Sequence, residues 1–230
     1  MAYGVSSSLK DSMELRLRII PQALDQISLI AYLGQSSGTR RDSSDHFSVT
    51  YVRGYLMLTW DLGSGVRRIF TSSPLSLRPS KAHYLQIGRR GRESWLYVDG
   101  IGNVTGRAAG ANTRLDVSPI LYIGGHKSRY FEALPHDLPL HTGFSGCIYD
   151  VELRTDDTVF PVVTMSSPAT GRGVGRVPSQ RVPSSLVQER CGLFELRPDL
   201  QTRIVQKSKC FVFETIRRNP AMHSYVADEN

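Results

Sequence analysis

The sequence has few cysteines and no long apolar segment. Its three cysteines, Cys147, Cys191 and Cys210, are too few for a disulfide-rich scaffold, and no C-x-x-C motif or Cys/His cluster indicates zinc. No stretch approaches the roughly 20 apolar residues of a transmembrane helix, and the segment after Met1 lacks the apolar core of a signal peptide. We therefore expect nothing in the sequence as given to export the chain or to insert it into a membrane.

Recognisable arrangements of catalytic residues are also missing. The histidines are scattered, and no serine occupies a G-x-S-x-G elbow. The glycine-rich segment 171–175 follows no convincing buried strand and opens no helix, so a flexible linker explains it better than a dinucleotide-binding loop. Four carboxylates fall at predicted turns or on outer strand positions: Asp61, Asp99, Asp150 and Glu152. Such positions are typical of solvated surface or of turn stabilisation rather than acid–base chemistry, and we predict that the protein is not an enzyme.

The composition is basic, with a formal net charge of +7 and a pI near 9.5. This charge favours an anionic partner, which could be nucleic acid, a membrane surface or a sulfated glycan. The sequence contains neither a recognition helix nor an aromatic RNA-stacking motif, which argues against nucleic acid. Charge alone does not choose the partner.

Apolar and polar residues alternate in short segments that are separated by Gly and Pro turns, with almost no helical periodicity. The predicted strands cover residues 14–20, 27–33, 46–52, 55–61, 82–87, 95–98, 119–123 and 144–153. This pattern predicts an all-β protein with an antiparallel β-sandwich. Its predicted core contains the inward side chains Phe47, Val49, Leu56, Leu58, Trp60, Leu85, Trp95, Tyr97 and Phe144.

The character of the sequence changes from about residue 161. Residues 166–185 are rich in Ser, Pro, Gly and Arg without a sustained apolar pattern, which indicates a flexible linker. Residues 186–230 hold too few large apolar side chains for a second core. We therefore predict one domain over residues 12–165, followed by a linker and an irregular, partly disordered or weakly docked tail over residues 166–230.

Five segments occur in the order and spacing of a known family: IAYLGQ (30–35), HFSVTYVRGYLMLTWDLGSG (46–65), WLYVDG (95–100), LDVSPILYIGG (115–125) and GFSGCIYDVEL (143–153). On these segments the predicted domain resembles a laminin G-like domain, most closely those of perlecan and agrin. The resemblance implies a curved, jelly-roll β-sandwich from a secreted extracellular matrix protein. The sequence would then be a fragment of a larger chain.

The resemblance also implies a function. Many domains of this family bind acidic glycans, such as heparan sulfate or the sugars of dystroglycan, or other cell-surface receptors. The expected partners are therefore extracellular, with neither nucleic acid nor membrane insertion involved. The alternative is a structural spacer that binds nothing, because one fold hosts many functions.

A calcium site is suggested first by the register of one hairpin. If Arg53 and Gly54 form a two-residue turn, Asp45 lies opposite Leu62 at the open end of the hairpin. Calcium binds carboxylate and carbonyl oxygens, so this pair forms half of a site.

The resemblance implies the other half of the calcium site. Family members that bind calcium use two Asp side chains and two backbone carbonyls, which map here onto Asp45, Asp116 and the carbonyls of Leu62 and Arg114. Water would complete the shell, and the expected site is weak, with a Kd of about 10⁻⁴–10⁻³ M. The alternative is that Asp45 caps a turn and Asp116 begins a strand after a loop.

Clustered basic residues predict where an acidic glycan would bind. Arg89, Arg90 and Arg92 crowd one predicted hairpin loop, residues 88–94. Guanidinium groups bind sulfate and carboxylate oxygens in bidentate pairs. Further basic residues fall in other predicted turns: Arg40, Arg41, Arg67, Arg68, Arg107, Lys127 and Arg129. For any one arginine a solvated loop is the simpler explanation, and the glycan prediction rests on the set.

Two covalent features complete the predictions. Asn103 begins an N-x-T sequon in a predicted exposed turn, so it is a candidate for N-glycosylation, with a plain turn asparagine as the alternative. The resemblance implies that Cys147 pairs with a cysteine near the end of the domain. The expected position holds Arg176 and Val177 instead, so Cys147 is either unpaired or linked to Cys191 across the linker.

Overall fold

The structure is a computed structural model of the chain. It describes residues 1–5, 8–34, 45–77, 81–126, 134–135, 138, 142–156, 158–164 and 210–213. These ranges contain 14 β-strands and no α-helix. In this part of the chain, therefore, no helix is long and apolar enough to cross a membrane.

The strands form two seven-stranded sheets. Along the chain they are β1 (Ala2–Gly4), β2 (Ser12–Pro21), β3 (Ile27–Gly34), β4 (His46–Val52), β5 (Tyr55–Asp61), β6 (Arg67–Phe70), β7 (His83–Arg90), β8 (Glu93–Val98), β9 (Ile101–Arg107), β10 (Ile120–Ile123), β11 (Thr142–Gly143), β12 (Gly146–Arg154), β13 (Val163–Thr164) and β14 (Cys210–Phe213). Sheet A has the order β1-β10-β3-β4-β5-β6, and β11 runs parallel to β3. Sheet B has the order β13-β12-β2-β7-β8-β9, and β14 pairs with β12. The predicted antiparallel sandwich is confirmed.

The β4–β5 hairpin has the predicted strand bounds and register throughout its seven opposite pairs. Arg53 and Gly54 form the turn with φ angles of 48° and 96°. Two consecutive positive φ angles are typical of the two-residue turns that match the twist of a hairpin. The ladder therefore ends with Asp45 and Leu62 on opposite sides, as the sequence predicts.

The core lies between the inner faces of the two sheets. Seven of the nine predicted core residues are buried there: Phe47, Val49, Leu56, Leu58, Trp60, Leu85 and Phe144. The prediction is wrong for Trp95 and Tyr97, which are half-buried. Leu96 and Val98 are the β8 side chains that face the core, and alternation along a strand puts Trp95 and Tyr97 on the outer face of sheet B.

The β7–β8 hairpin is longer than the sequence predicts, because only Gly91 and Arg92 lie between its strands. Gly88, which reads as a loop residue, lies inside β7 opposite Trp95. A Cβ at this glycine would lie 2.5 Å from Trp95 Cζ2, so the strand needs glycine there for packing rather than for a turn.

Two glycine-rich or tail segments form strands that the sequence does not predict. The segment that carries the sequon was expected to be a turn but forms β9, which pairs with β8 and has an irregularity between Leu96 and Val98. In the predicted tail, Cys210–Phe213 forms β14, antiparallel to the Gly146–Tyr149 part of β12. Sheet B therefore includes at least four residues from beyond position 165.

Candidate calcium and ligand-binding rim

Several loops meet at one end of the sandwich and form what we name the rim: Asp45, the turn 62–66 between β5 and β6, the turn 91–92 and the segment 108–118. Three backbone hydrogen bonds connect these segments. The N–H of Gly91 donates to the Asp11 carbonyl (2.8 Å), that of Ala108 to the Arg92 carbonyl (2.8 Å) and that of Leu115 to the Lys10 carbonyl (3.0 Å). Gly110 packs on Ser64, since a Cβ at Gly110 would lie 2.4 Å from Ser64 Oγ. These contacts join segments that are distant in sequence.

The two predicted carboxylate ligands meet at the rim. The backbone N–H of Asp116 donates to Asp45 Oδ2 over 2.8 Å, although 71 residues separate them. The Asp116 side chain is 63% exposed, and its Oδ1 lies 3.5 Å from Lys10 Nζ. One carboxylate is thus fixed by the backbone of the other residue, and the second faces solvent.

The turn that begins at Leu62 lies against Asp45, as the hairpin register predicts. An ideal Cβ on Gly63 would be 3.3 Å from Asp45 Oδ1, which places this carboxylate against the turn. The amide Nδ2 of Asn112 donates to the Leu62 carbonyl over 2.8 Å. A carbonyl oxygen has two lone pairs, so this hydrogen bond leaves one for a cation. Asn112 is not predicted from the sequence, where its only signal is its position four residues before Asp116.

Asp61 holds the turn that carries this carbonyl. Its Oδ1 accepts hydrogen bonds from the N–H groups of Gly63 (2.8 Å), Ser64 (3.1 Å) and Gly65 (3.0 Å). A side chain that accepts from backbone groups a few residues later stabilises a turn locally. The carboxylate of Asp61 therefore has the turn role that the sequence predicts for it.

The rim concentrates negative charge at Asp45. Burial raises the pKa of its carboxyl group, and the nearby carboxylates of Asp116 and Asp61 raise the pKa further. The Asp116 N–H and the charge of His46 act in the opposite direction without cancelling the effect. A cation between Asp45 and Asp116 would relieve this repulsion.

The residues fit a weak calcium site rather than a strong one. Within the described ranges, no three Asp, Glu, His or Cys side chains gather into a metal-binding group. A calcium ion would therefore depend on two carboxylates, backbone carbonyls and water. Arg114 lies in the exposed segment before Asp116, and its guanidinium Nε is 3.6 Å from Asp11 Oδ1.

Comparison with known proteins identifies the domain. The laminin G domain model matches residues 22–158, more than half of the chain. The chain belongs to the laminin G domain family. Laminin G domains are non-enzymatic binding modules of matrix and adhesion proteins.

Relatives share this domain within much longer proteins. The chain is 49% identical over 179 residues to protein eyes shut of Drosophila melanogaster. This alignment covers 76% of this chain and 8% of that protein. It is 30% identical over 130 residues to human pikachurin, with 54% of this chain and 12% of that protein covered. The laminin G domain described here thus spans about a tenth of these relatives or less.

Solved laminin structures share the fold. Domains LG4-5 of the mouse laminin alpha1 chain align with a TM-score of 0.56 and 21% sequence identity, over 72% of this chain and 42% of that one. The alignment agrees with the two-sheet sandwich described above.

One predicted glycan-binding arginine of this laminin G domain is misplaced by the sequence analysis. Arg89 lies in β7, not in the loop, and is 0% exposed. Its guanidinium donates to four backbone carbonyls, those of Leu9 (3.2 Å), Lys10 (2.8 Å), Gly91 (2.7 Å) and Thr113. Burial lowers its pKa to about 10, opposed by the carboxylates of Asp11 and Asp45. Arg89 therefore holds the rim together and is inaccessible to a glycan.

The other predicted basic residues are distributed differently. Arg90 is the last residue of β7 and not a loop residue as predicted; it is exposed and pairs with Asp156 through two hydrogen bonds of 3.1 Å. Arg92 is half-buried, and its Nη2 donates to the Ala108 carbonyl over 3.0 Å. Arg67 and Arg68 are exposed at the start of β6, and Arg107 is exposed on β9 beside Glu93. Four lie outside the described residues: Arg40, Arg41, Lys127 and Arg129.

The predicted modification sites have different outcomes. Asn103 is exposed, as its sequon requires, but on β9 rather than in a turn. Cys147 is buried in β12, and Cys191 lies outside the described residues, so their disulfide stays a prediction.

Proposed function

We propose that this laminin G domain is an extracellular module that binds acidic glycans of matrix or cell-surface partners at the rim, assisted by a weakly bound calcium ion. The contact between the Asp116 N–H and the Asp45 carboxylate supports this proposal most directly. It brings together two acids from distant parts of the chain beside the turn that begins at Leu62.

In this proposal the protein supplies four oxygen ligands. The carboxylates of Asp45 and Asp116 and the carbonyls of Leu62 and Arg114 would hold the ion. Calcium accepts several oxygen ligands and leaves positions for water or for ligand oxygens. Asp61 orients the Leu62 carbonyl through the turn, and Arg89 holds Thr113 next to Arg114.

Cationic side chains near the rim support an acidic ligand. Lys10 lies beside Asp116, and Arg114 is exposed in the same segment. Arg67 opens β6 opposite Trp60, one residue from the end of β5, and Arg92 occupies the adjacent turn. Guanidinium and ammonium groups around a bound cation would contact the carboxylates or sulfates of a sugar chain.

The relatives support an extracellular location. One of them, the basement membrane proteoglycan of Caenorhabditis elegans, is 30% identical over 135 residues and is named for a matrix structure. Calcium at millimolar concentration outside cells would populate a site with a Kd of about 10⁻⁴–10⁻³ M.

Calcium titration by calorimetry and thermal shift tests the proposal. The parent domain should bind calcium, whereas Asp45→Ala and Asp116→Ala should not. Asp25→Ala is the matched control, because Asp25 is an exposed aspartate in the β2–β3 turn, outside the rim. Equal responses in all four proteins would refute the calcium site.

Binding to immobilised heparan sulfate, with calcium or with EDTA, tests the ligand. We expect retention that falls in EDTA and in Arg114→Ser. A domain that neither binds calcium nor is retained would instead be the structural spacer that is the alternative function.

A further inference from the structure

A cavity of about 330 Å³ lies on sheet B, apart from the Asp45–Asp116 pair. It is formed by β2, β7, β8 and the segment after β12, and its lining residues include Glu14, Arg16, Trp95, Arg154 and Asp156. Met13, Leu15 and Leu17 face the core, so the alternate residues Glu14 and Arg16 point to the outer face of the sheet. The volume is at the lower end of the range for small-molecule sites, about 300–1,000 Å³.

The cavity wall is positively charged. Three arginines present accessible guanidinium groups to it, Arg16, Arg90 and Arg154, against the two carboxylates of Glu14 and Asp156. The guanidinium of Arg89 is buried against the rim carbonyls, so three guanidinium groups and two carboxylates leave a net charge of +1. The wall therefore favours a ligand with negative charge.

The outward-facing arginines of the wall are all held in ion pairs. The Arg16–Glu14 pair is half-buried, with a hydrogen bond of 2.5 Å. Arg154 pairs with Glu152 over 2.9 Å, and Arg90 pairs with the Asp156 side chain, which is 56% exposed. Ion pairs in contact with solvent contribute little free energy. An anionic ligand can therefore replace part of this pairing without a large cost.

Trp95 gives the cavity an aromatic wall with an unused donor. Its ring lies over Gly88, where a Cβ would be 2.5 Å from Cζ2 and 2.8 Å from Cε2. The indole Nε1 is buried and has no hydrogen-bond partner. A buried donor without a partner is unfavourable, and a ligand oxygen would satisfy it. The C–H face of a pyranose ring packs well on an aromatic ring, while its anionic substituent suits the arginines.

We propose that this cavity binds one acidic sugar unit, a pyranose that carries a carboxylate or a sulfate. Arg16 and Arg154 bind the anionic group, and Trp95 contacts the ring and donates its indole N–H. The site needs no calcium, so it is independent of the rim site proposed above. A glycan chain would then have a second contact on the same domain.

Nuclear magnetic resonance of the tryptophan indole N–H groups tests this site, because the chain has only two tryptophans. The signal that disappears in Trp95→Phe belongs to Trp95. In EDTA, unsulfated and 4-sulfated chondroitin disaccharides should shift this signal saturably, and lactose should not. The sulfated and unsulfated forms show whether a carboxylate alone suffices, and binding of either supports the proposal.

Matched variants locate the site. Arg16→Gln and Arg154→Gln should weaken disaccharide binding about tenfold or more. Arg18→Gln is the control, because Arg18 is on the same face of β2 but packs over Tyr84 and does not line the cavity. It should leave the affinity within about twofold.

Three results would overturn the proposal. They are no shift of the Trp95 signal at millimolar disaccharide, equal weakening by Arg18→Gln and Arg16→Gln, and a shift that requires calcium or is lost in Asp45→Ala. The last result would assign the sugar to the rim. Failure of the calcium site alone would leave the Trp95 response unchanged.

Discussion

Replacing Arg89 by methionine should destabilise the domain by about 3–4 kcal/mol. Methionine has no donor, so the carbonyls of Leu9, Gly91 and Thr113 would lose their partner, whereas that of Lys10 keeps a second donor. A buried acceptor without a partner costs about 1–3 kcal/mol, and partly buried carbonyls recover some of this from water. The packing of the methionine chain offsets a further part.

This loss is large against the roughly 5–15 kcal/mol of a typical domain. It should lower the Tm by about 6–16 °C. Arg90→Met is the matched control, because Arg90 is the next residue along β7 and its guanidinium group is exposed. Its ion pair with Asp156 contributes about 0–1 kcal/mol. Urea unfolding, followed by the fluorescence of the buried Trp60, measures both variants.

If the free energies of unfolding of the two variants differ by less than about 0.5 kcal/mol, the hydrogen bonds of the buried Arg89 guanidinium do not stabilise the rim. That result would refute the reasoning. A calcium titration gives a second measurement. Thr113 precedes Arg114 in the segment that carries Asp116, so Arg89→Met should also weaken calcium binding. Arg90→Met should leave it unchanged.

Three further predictions concern single positions. Burial and neighbouring carboxylates raise the pKa of Asp45, so its ionised form destabilises the folded protein. This destabilisation is absent below the pKa of an aspartate in the unfolded chain and is complete above the pKa of Asp45 in the folded protein. Asp45→Asn should therefore raise the Tm in EDTA at neutral pH but not in strong acid, and a lower Tm at neutral pH would contradict this. Gly88→Ala should lower the free energy of unfolding in urea by about 1–3 kcal/mol, because its Cβ would meet Trp95. Gly4→Ala is the control, because Gly4 has open space around a Cβ, and an equally small loss in both variants would contradict the prediction. Asn103 should carry a glycan after expression in secreting animal cells, seen as a glycosidase-sensitive mobility shift that Asn103→Gln removes.

The sequence predicts the fold best where the side-chain alternation is regular. The strands β4 and β5, their two-residue turn and their register all follow from alternation and from Arg53-Gly54. The prediction finds β7 and β8 but ends both strands too early at their hairpin turn, and it misses β9, because glycine and arginine indicate loops there. Position 88 requires glycine because the ring of Trp95 occupies the space of a Cβ. Arg89 can be buried because its guanidinium group donates hydrogen bonds to backbone carbonyls. Both causes are contacts between segments, which a local pattern does not contain.

The same distinction divides the candidate site. The position of Asp45 beside the Leu62 turn is local, because seven consecutive pairs of one hairpin determine it. The position of Asp116 is not local, since it depends on the segment 108–118, which is held by long-range contacts with Lys10, Ser64 and Arg89. Hairpin register therefore predicts one carboxylate of the calcium site, and only the packing of the rim brings the second one to it. A substitution that loosens the rim should accordingly weaken calcium binding without touching any of its four proposed ligands.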